Sequence, residues 1–257
     1  MPNCVAVLTR GYTDIADYNK LIKRNTHISR NLNDKSMDIL IFHEGNITQQ
    51  HQLFIRNGTP ELNLKFIDVS NIGFQAEKQN IRVEEAHGFP LNYRHMCSFW
   101  FVDFHKAVKD YDKMIRIDED CFVESSIDDI FEKLDHYLFI CGRTIDDDDF
   151  VTIGLNAFSL DFVEKHKSEF VFKKTETKYP SCGPYTNLMG VSLERIRNND
   201  IVKKYIDEVD RNEMIYKRRW GDLPLWGEVI HYICGDDSLK IDSTIKYYHE
   251  SHHHQVN

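Results

Sequence analysis

Short apolar segments alternate with helical segments through the first seventy residues, and this alternation limits the chain to a small set of folds. The apolar runs are Cys4–Leu8, Met37–Phe42 and Leu64–Val69. Apolar residues at helical spacing separate them, from Asp14 to about Leu32 and again from Ile47 to Ile55. Such βαβ units predict a mainly parallel sheet, flanked by helices, in a single α/β domain.

Another strand-like run, Met114–Ile117, leads directly into the acidic sequence Asp118-Glu119-Asp120. Side chains alternate along an extended strand, so Asp118 and Asp120 can converge on one point while Glu119 faces away. Carboxylate oxygens suit Mg²⁺ or Mn²⁺, and open α/β sheets bind ligands at the carboxyl ends of their strands. The sequence therefore indicates a metal site here. The alternative is a solvated acidic turn that caps the next helix.

Two aromatic segments offer surfaces for a ligand. Tyr93 and Arg94 begin the aromatic helix Asn92–Val108, where a ring and a guanidinium can hold a base and a phosphate. Trp220 and Asp222 lie in a rigid turn further along the chain, and a ring beside a carboxylate suits a sugar. Each pair has a structural alternative. The first pair would be a helix cap or a surface pair, and the second a core tryptophan with a helix-capping aspartate.

The later part of the chain gives further elements. We expect a strand over Val151–Phe158, a helix from Leu160 to about Phe170, and a loop over Lys173–Pro184. Thr244–His249 is strand-like and ends in a histidine. The three histidines at positions 252–254 are expected to be part of a polar tail and not a dedicated site.

Charge and composition restrict the partners and the location. A net charge of −9 and a pI of about 5.8 argue against nonspecific nucleic-acid binding, which needs a basic face. No apolar run approaches the ~20 residues of a membrane span, and the chain does not begin with a signal-peptide pattern. The six cysteines are scattered, which favours reduced thiols over disulfides or a zinc site. We therefore expect a soluble protein of the cytoplasm or another intracellular compartment.

Four motifs occur in one order along the chain. They run from Tyr93 to Phe99 (similar to Tyr-Arg-x-Met-Cys-Arg-Phe), Arg116 to Asp120 (similar to Arg-Val-Glu-Pro-Asp), Ser181 to Met189 (similar to Cys-His-Phe-Trp-Ser-Asn-Phe-Glu) and Arg219 to Pro224 (similar to Arg-Trp-Gly-Asp-Ala-Pro). Tyr247-Tyr248-His249 follows, near a late Tyr-x-His. In this order the motifs resemble glycosyltransferase family 15, the fungal α-1,2-mannosyltransferases.

The resemblance implies a GT-A fold, which is a Rossmann-like, mostly parallel mixed sheet flanked by helices. It implies a glycosyltransferase that moves a mannose-like hexose from a nucleotide-diphosphate sugar to a glycan or glycoprotein acceptor, with retention, using Mn²⁺ (or Mg²⁺). Such a metal neutralises the diphosphate leaving group as the glycosidic bond loosens. Residues 1–125 would bind the nucleotide sugar, and residues 126–257 would bind the acceptor.

The resemblance also assigns roles to individual residues. The metal ligands would be Asp118, Asp120 and His249, and the catalytic carboxylates would be Asp118 and Asp222. The nucleotide sugar would contact Thr9, Arg10, Gly11, Tyr93, Arg94, Asp118 and Glu119. The acceptor would contact Tyr185, Asn187, Trp220 and Asp222.

One departure from the family bears on the mechanism. Met189 stands where the family has a glutamate once proposed as the nucleophile, and a thioether cannot act as a nucleophile or a base there. Three alternatives follow. A neighbour such as Asp222 supports the sugar, the acceptor hydroxyl attacks from the leaving-group side, or the chain is a degenerate glycan- or protein-binding module. The donor base also stays open between GDP-linked and UDP-linked sugars.

A sugar-nucleotide pyrophosphorylase would share the α/β sheet and an acidic metal site. It would need a glycine-rich phosphate loop after the first strand, and Thr9-Arg10-Gly11-Tyr12 does not provide one. The sequence therefore favours the transferase.

Overall fold

The alternating apolar segments form strands of one sheet, which confirms the predicted α/β plan. The computed structural model describes residues 1–74, 78, 81, 89–170 and 181–256. In these ranges the strands are β1 (Asn3–Leu8), β2 (Asp38–His43), β3 (Asn63–Asp68), β4 (Lys113–Ile117), β5 (Cys121–Val123), β6 (Phe139–Cys141), β7 (Thr144–Asp146), β8 (Cys182–Pro184), β9 (Leu188–Ser192), β10 (Leu239–Ile241), β11 (Tyr247–His249) and β12 (His254–Val256).

Helices pack against two apolar cores, one on each face of the sheet. Side chains of β1 alternate between these cores, with Cys4 and Ala6 in one and Val5 and Val7 in the other. The helices in the described ranges are α1 (Asn19–Asn31), α2 (Gln49–Gly58), α3 (Ser70–Gly73), α4 (Leu91–Ser98), α5 (Phe104–Ala107), α6 (Ile127–Lys133), α7 (Leu155–Lys165), α8 (Leu193–Arg197), α9 (Asp200–Asn212), α10 (Met214–Arg218) and α11 (Asp222–Glu228). Two π-helical segments, Phe99–Asp103 and Val229–Cys234, continue α4 and α11.

The main sheet has seven strands in the order β10-β6-β9-β4-β1-β2-β3. β1 pairs in parallel with β2 on one side and with β4 on the other, and β9 is antiparallel to both of its neighbours. The chain first builds β1, β2 and β3 outwards and then returns to place β4 on the opposite side of β1. The carboxyl ends of β1 and β4 therefore form a topological switch point, where open α/β sheets bind ligands.

A buried arginine joins these two strands from one face of the sheet. Arg24, in α1, donates from its guanidinium to the carbonyl oxygens of Ala6 in β1 (3.2 Å) and Ile117 in β4 (2.8 Å). Burial lowers the pKa of Arg24 to about 9, which leaves the guanidinium charged at neutral pH. The backbone carbonyls thus satisfy a buried charge and hold the switch point together.

Two smaller sheets shape the other side of the site. β11 pairs antiparallel with β5 and with β12, and β7 pairs antiparallel with β8. β8 packs backbone to backbone on α11 through two glycines. A Cβ atom added at Gly183 would lie 2.0 Å from the carbonyl oxygen of Leu223, and one added at Gly227 would lie 1.9 Å from that of Cys182. This contact fixes the position of α11 and of Asp222 at its start.

Several expected elements differ in the structure. The strand expected over Val151–Phe158 is wrong, because α7 begins at Leu155 and buries Leu155, Ser159 and Phe162 at helical spacing. The strand expected over Thr244–His249 is limited to β11. The loop expected over Lys173–Pro184 contains β8, while its residues 173–180 lie outside the described ranges.

Two expectations from composition can be compared with the structure. The six cysteines are reduced and form no disulfide, as predicted. Among the described residues, the helices are all too short or too polar to cross a membrane.

Glu228, the last residue of α11, is a buried acid with 4% of its surface exposed. Burial raises the pKa of its carboxyl to about 7, and Oε2 finds no hydrogen-bond partner among the described residues. In the unfolded chain a glutamate titrates near pH ~4.3. The folded protein therefore keeps a proton that the unfolded chain releases. The resulting stabilisation is complete below pH ~4.3 and is lost as the pH rises through about 7.

We expect Glu228→Gln to remove this pH dependence, because glutamine does not titrate. The free energy of unfolding of the variant relative to wild type should rise by up to about 1.4 kcal/mol per pH unit between pH ~5 and ~7. Urea denaturation at the two pH values measures this difference, and the other titrating groups contribute equally to both proteins. If variant and wild type differed by the same free energy of unfolding at both pH values, the raised pKa assigned to Glu228 would be wrong.

Candidate functional site

A cavity of about 560 Å³ opens at the carboxyl ends of β1 and β4, at the switch point of the sheet. The loops that follow these two strands line it, together with the start of α4. Six of the residues that the sequence places at the site line this cavity: Thr9, Arg10, Tyr93, Asp118, Glu119 and Asp120.

Asp120 and His249 meet at one corner of this cavity. Pairing of β5 with β11 places His249 opposite Cys121, next to Asp120. The His249 Nε2 atom lies 3.4 Å from Asp120 Oδ2. Ser251 reaches the same point, since its hydroxyl donates to Asp120 Oδ2 and lies 3.2 Å from His249 Nε2. A carboxylate from the turn after β4 and an imidazole and a hydroxyl from the end of the chain thus surround one position.

The other ring nitrogen of His249 is held from behind. His249 Nδ1 lies 2.8 Å from the Tyr185 hydroxyl and 2.8 Å from Asn187 Nδ2, and the Tyr247 hydroxyl donates to Asn187 Oδ1 at 2.7 Å. The resemblance implied that Tyr185 and Asn187 contact the acceptor, but in the structure both side chains contact His249. Partners of this kind orient a histidine and direct its second nitrogen outward.

The donor set fits a hard or borderline divalent metal. Burial alone would raise the pKa of Asp120, but hydrogen bonds from His249 and Ser251 outweigh it and hold this pKa below its usual range. Cys121 Sγ also lies within 4.8 Å of the Asp120 and His249 ligand atoms. Burial raises the pKa of its thiol, and soft sulfur is a poor ligand for the hard ions Mg²⁺ and Mn²⁺. The carboxylate and hydroxyl oxygens suit both ions, and the imidazole suits the transition metal.

Asp118 lies on the other side of the turn, bound to an arginine. Arg116 donates to both carboxylate oxygens of Asp118, from Nε at 2.7 Å and from Nη2 at 3.0 Å. Its Nη1 atom donates to Asp222 Oδ2 at 2.6 Å, and its guanidinium lies 4.4 Å from the ring centre of Trp100. Arg116 is 4% exposed and lines the cavity. One buried cation therefore joins the two carboxylates expected to be catalytic.

Strand alternation, from which convergence of Asp118 with Asp120 was expected, does not extend to these residues, although both of them line the cavity. The Cys121 amide donates to the Asp118 carbonyl at 3.1 Å, which closes a turn directly after β4, so alternation ends at Ile117. For the same reason Glu119 does not face away. It lines the cavity and accepts hydrogen bonds from the Thr9 and Tyr12 hydroxyls.

The loop after β1 is thus tied to the acidic turn. Burial, together with the Glu119 carboxylate, raises the pKa of Tyr12 to about 12. Arg10 lies exposed above Tyr12, with 5.2 Å between its guanidinium and the ring centre. Gly11 allows the loop to lie against Asn46, because an added Cβ would approach that residue to 2.6 Å. The contacts of Thr9 and Tyr12 with Glu119 therefore fix the loop, and the exposed Arg10 guanidinium can meet an anion.

The two aromatic segments divide between the cavity and the core. Tyr93 lines the cavity and accepts from Arg219 at 3.2 Å. Arg94 is buried instead, and its guanidinium donates to the carbonyl oxygens of Phe89 and Tyr216. These carbonyls, not a phosphate, satisfy Arg94.

Trp220 and Asp222 also differ from the expected sugar-binding pair. Trp220 is 2% exposed, donates from Nε1 to the Ile153 carbonyl at 3.1 Å and packs on Phe158. Trp220 is therefore a core tryptophan, which was the structural alternative to a sugar-binding ring. Asp222 begins α11 after the N-cap Gly221, but its carboxylate bonds Arg116 and does not cap the helix.

The histidines at the end of the chain are part of the fold. β12 pairs with β11, so that His254 lies opposite His249, and the ring centres of His252 and His249 are 4.4 Å apart. Arg143 contacts His254 Nε2 at 2.9 Å. The expectation of a polar tail is therefore wrong, because local composition does not reveal a strand that pairs with β11.

Several residues that line the cavity had no predicted role, among them Tyr12, Lys20, Trp100, Arg116 and Ser251. Arg116 carried a usable signal, since an arginine in an otherwise apolar strand must find a partner. Ser251 follows His249 by two residues, but the tail interpretation hid it.

Comparison with solved structures defines the fold family of the domain. The mannosyltransferase Ktr4p from S. cerevisiae superposes with a TM-score of 0.79 at 16% identity, over 96% of this chain and 70% of that chain. The Mn/GDP form of core-mannan synthase A from Aspergillus fumigatus gives a TM-score of 0.79 at 15% identity, over 97% and 74%. The fold is the GT-A fold of glycosyltransferases.

Sequence comparison finds curated relatives of this chain. Over 192 residues, which are 68% of this chain, it is 25% identical to the glycolipid 2-alpha-mannosyltransferase of Saccharomyces cerevisiae. The chain spans 43% of the length of that curated relative, which is less than half. The resemblance to the fungal α-1,2-mannosyltransferases is confirmed. No family model matches the chain.

The Arg116–Asp222 pair gives a direct test of the site's construction. We expect Asp222→Leu to lower the free energy of unfolding by about 3 kcal/mol, because it removes one of two carboxylates from a buried guanidinium. In an Arg116→Met background the same substitution should cost at least about 1.5 kcal/mol less. Urea denaturation of the four proteins of this double-mutant cycle measures the coupling. Equal costs in both backgrounds would mean that the pair is not formed.

Proposed function

We propose that the chain is a metal-dependent glycosyltransferase that moves a mannose-like hexose from a nucleotide-diphosphate sugar to a glycan or glycoprotein acceptor, with retention. The observation that carries this proposal is the meeting of Asp120 and His249 at the switch-point cavity, 3.4 Å apart. The GT-A fold and the mannosyltransferase relatives support it.

Asp120 and His249 would hold Mn²⁺ (or Mg²⁺), and Asp118 would join them by releasing one oxygen from Arg116. When bound, the metal neutralises the charge that develops on a diphosphate leaving group. Arg116 is a positioning residue in this proposal. It keeps the Asp118 and Asp222 carboxylates at the wall of the cavity, and Trp100 covers its other face.

The nucleotide side of the cavity would be formed by the first part of the chain, residues 1–125. Arg10 and Lys20 line it and bring positive charge to a diphosphate, while Tyr93 offers a ring beside them. Glu119 fixes this side through Thr9 and Tyr12. GDP is the favoured nucleotide, because the Aspergillus fumigatus structure is an Mn/GDP form, and UDP-linked sugars are the alternative to be tested.

The acceptor would bind on the side built by residues 126–257. Of the residues expected there, Asp222 adjoins the cavity through Arg116. Tyr185 and Asn187 instead support the metal corner, which is the corner of the cavity where Asp120 and His249 meet. Other side chains of residues 126–257 would therefore recognise the acceptor, and Asp222 would lie next to the reacting sugar.

A degenerate glycan- or protein-binding module is the second candidate, and Met189 is the observation that favours it. Met189 lies in β9 opposite Arg116 of β4 and is 3% exposed in the apolar core. No nucleophile is available at that position. We propose that turnover persists by attack of the acceptor hydroxyl from the leaving-group side, where a diphosphate oxygen supplies the base.

Removal of the metal corner tests the function. We expect GDP-mannose with Mn²⁺ to stabilise the wild-type protein against thermal unfolding, by about 2.7 kcal/mol at a hundredfold excess over Kd. Asp120→Ala and His249→Ala should lose this metal-dependent gain, while Asp161→Ala, an exposed acid on α7, should keep it. Product analysis with Mn²⁺ then distinguishes transfer from binding alone. Stabilisation of Asp120→Ala equal to that of wild type would refute the assignment of the metal ligands.

Restoration of the family's glutamate tests the mechanism. Met189→Glu would bring a third carboxylate toward Arg116, which already binds two, so the new acid would be buried and protonated. We expect no gain in turnover and a loss of about 1–3 kcal/mol in the free energy of unfolding. Met189→Leu, which keeps an apolar side chain of similar size, should retain both turnover and stability. A rise in turnover with Met189→Glu from an inert wild type would favour the degenerate module.

A further inference from the structure

Ser251 sits at the metal corner in a position that neither the motifs nor the relatives assign. Its Oγ atom lies 3.2 Å from His249 Nε2 and donates to Asp120 Oδ2, while His249 Nε2 and Asp120 Oδ2 are themselves 3.4 Å apart. The three atoms form a triangle with each corner beside the other two. Ser251 also lines the switch-point cavity, so this triangle faces the space where a donor would bind.

Two sides of the triangle, those that meet at His249 Nε2, match the spacing of neighbouring ligands in a coordination shell, and the third side is the hydrogen bond from Ser251 to Asp120. Mg²⁺ and similar small ions bind ligands at about 2.0–2.1 Å in octahedral geometry, which places neighbouring ligand atoms about 3 Å apart. The distances of 3.2 and 3.4 Å are close to that spacing. Serine hydroxyls are known ligands of Mg²⁺ in phosphate-binding loops, so the chemistry is suitable.

The backbone around Ser251 holds the hydroxyl in this place. The Glu250 amide donates to the Asp120 carbonyl at 2.9 Å, and the Glu250 carboxylate accepts from Lys20 and Lys23 at 3.2 and 3.3 Å. His253 then adopts a left-handed conformation, with φ of 50°, which turns the chain into β12. These contacts fix the backbone on both sides of Ser251.

We propose that Ser251 is a third protein ligand of the divalent cation, so that Asp120, His249 and Ser251 form one face of its coordination shell. The proposal rests on the metal-dependent function inferred above and adds to it a residue of this chain. In the metal-free arrangement the hydroxyl donates to Asp120. On binding, its oxygen would present a lone pair to the cation and its proton would turn toward the cavity. The diphosphate and water would complete the ligand set.

A change of metal preference tests this role. Mn²⁺ and then Cd²⁺ are titrated into the full chain by isothermal calorimetry, first without nucleotide and then with GDP. We expect Ser251→Ala to weaken Mn²⁺ binding at least about tenfold, which is the lower end of the loss caused by removing a residue that only orients a ligand. Ser251→Cys should weaken Mn²⁺ binding and strengthen Cd²⁺ binding, since a soft thiolate prefers a soft ion.

Ser125→Cys is the matched control. Ser125 follows β5, outside the switch-point cavity, and its hydroxyl contacts the Lys246 backbone, so its thiol should leave both affinities unchanged. Thermal unfolding without metal confirms that each variant is folded. A Ser251→Ala protein that binds Mn²⁺ as wild type does, or a Ser251→Cys protein with an unaltered preference, would overturn the proposal but leave Asp120 and His249 as ligands. A wild-type protein that binds neither ion, with or without GDP, would overturn the metal-dependent function as well.

Discussion

The structure of the site depends on how the protein keeps two buried guanidinium groups satisfied on opposite faces of the β1–β4 pair. Arg24 is satisfied mainly by carbonyl oxygens at the ends of these strands, and Arg116 by the carboxylates of Asp118 and Asp222. A buried charge without partners costs several kcal/mol, so these contacts are obligatory. The first arginine fixes the backbone of the switch point. The second joins an acid of the central sheet to an acid at the start of α11, which the glycine contact with β8 holds in place.

The fold was predictable because its signals are local. Apolar runs bounded by helical segments define β1 to β4, and their alternation requires parallel pairing with a ligand site at the carboxyl ends. The location of the site was predictable, together with six of the residues that line it and the proximity of Asp120 to His249. The direction of each carboxylate depends on the turn after Ile117, and the environment of Trp220 depends on α7, whose own start was misread as a strand. Both are tertiary effects that alternation and composition do not encode.

Met189 is consistent with this arrangement of charges. In the register of the sheet it lies opposite Arg116, and an acid there would compete with Asp222 for the same guanidinium. The apolar side chain leaves Arg116 with two carboxylates and is buried in the core. The apolar Met189 and the engagement of Asp222 by Arg116 are therefore compatible. Under the proposed function, the carboxylate nearest to the reacting sugar would come from α11 and not from β9.

The partners of His249 would suit the metal-binding role proposed for this histidine. Asn187 Nδ2, a donor, lies 2.8 Å from His249 Nδ1, while His249 Nε2 faces Asp120. If Nε2 held a metal, Nδ1 would carry the ring proton and would need an acceptor. The Tyr185 hydroxyl can accept as well as donate, and rotation of the Asn187 amide presents Oδ1 to Nδ1 while the Tyr247 hydroxyl accepts from Nδ2. Side chains that can reverse their hydrogen bonds hold the ring in the same orientation in both states, which a carboxylate or a backbone carbonyl, with acceptors only, would not do.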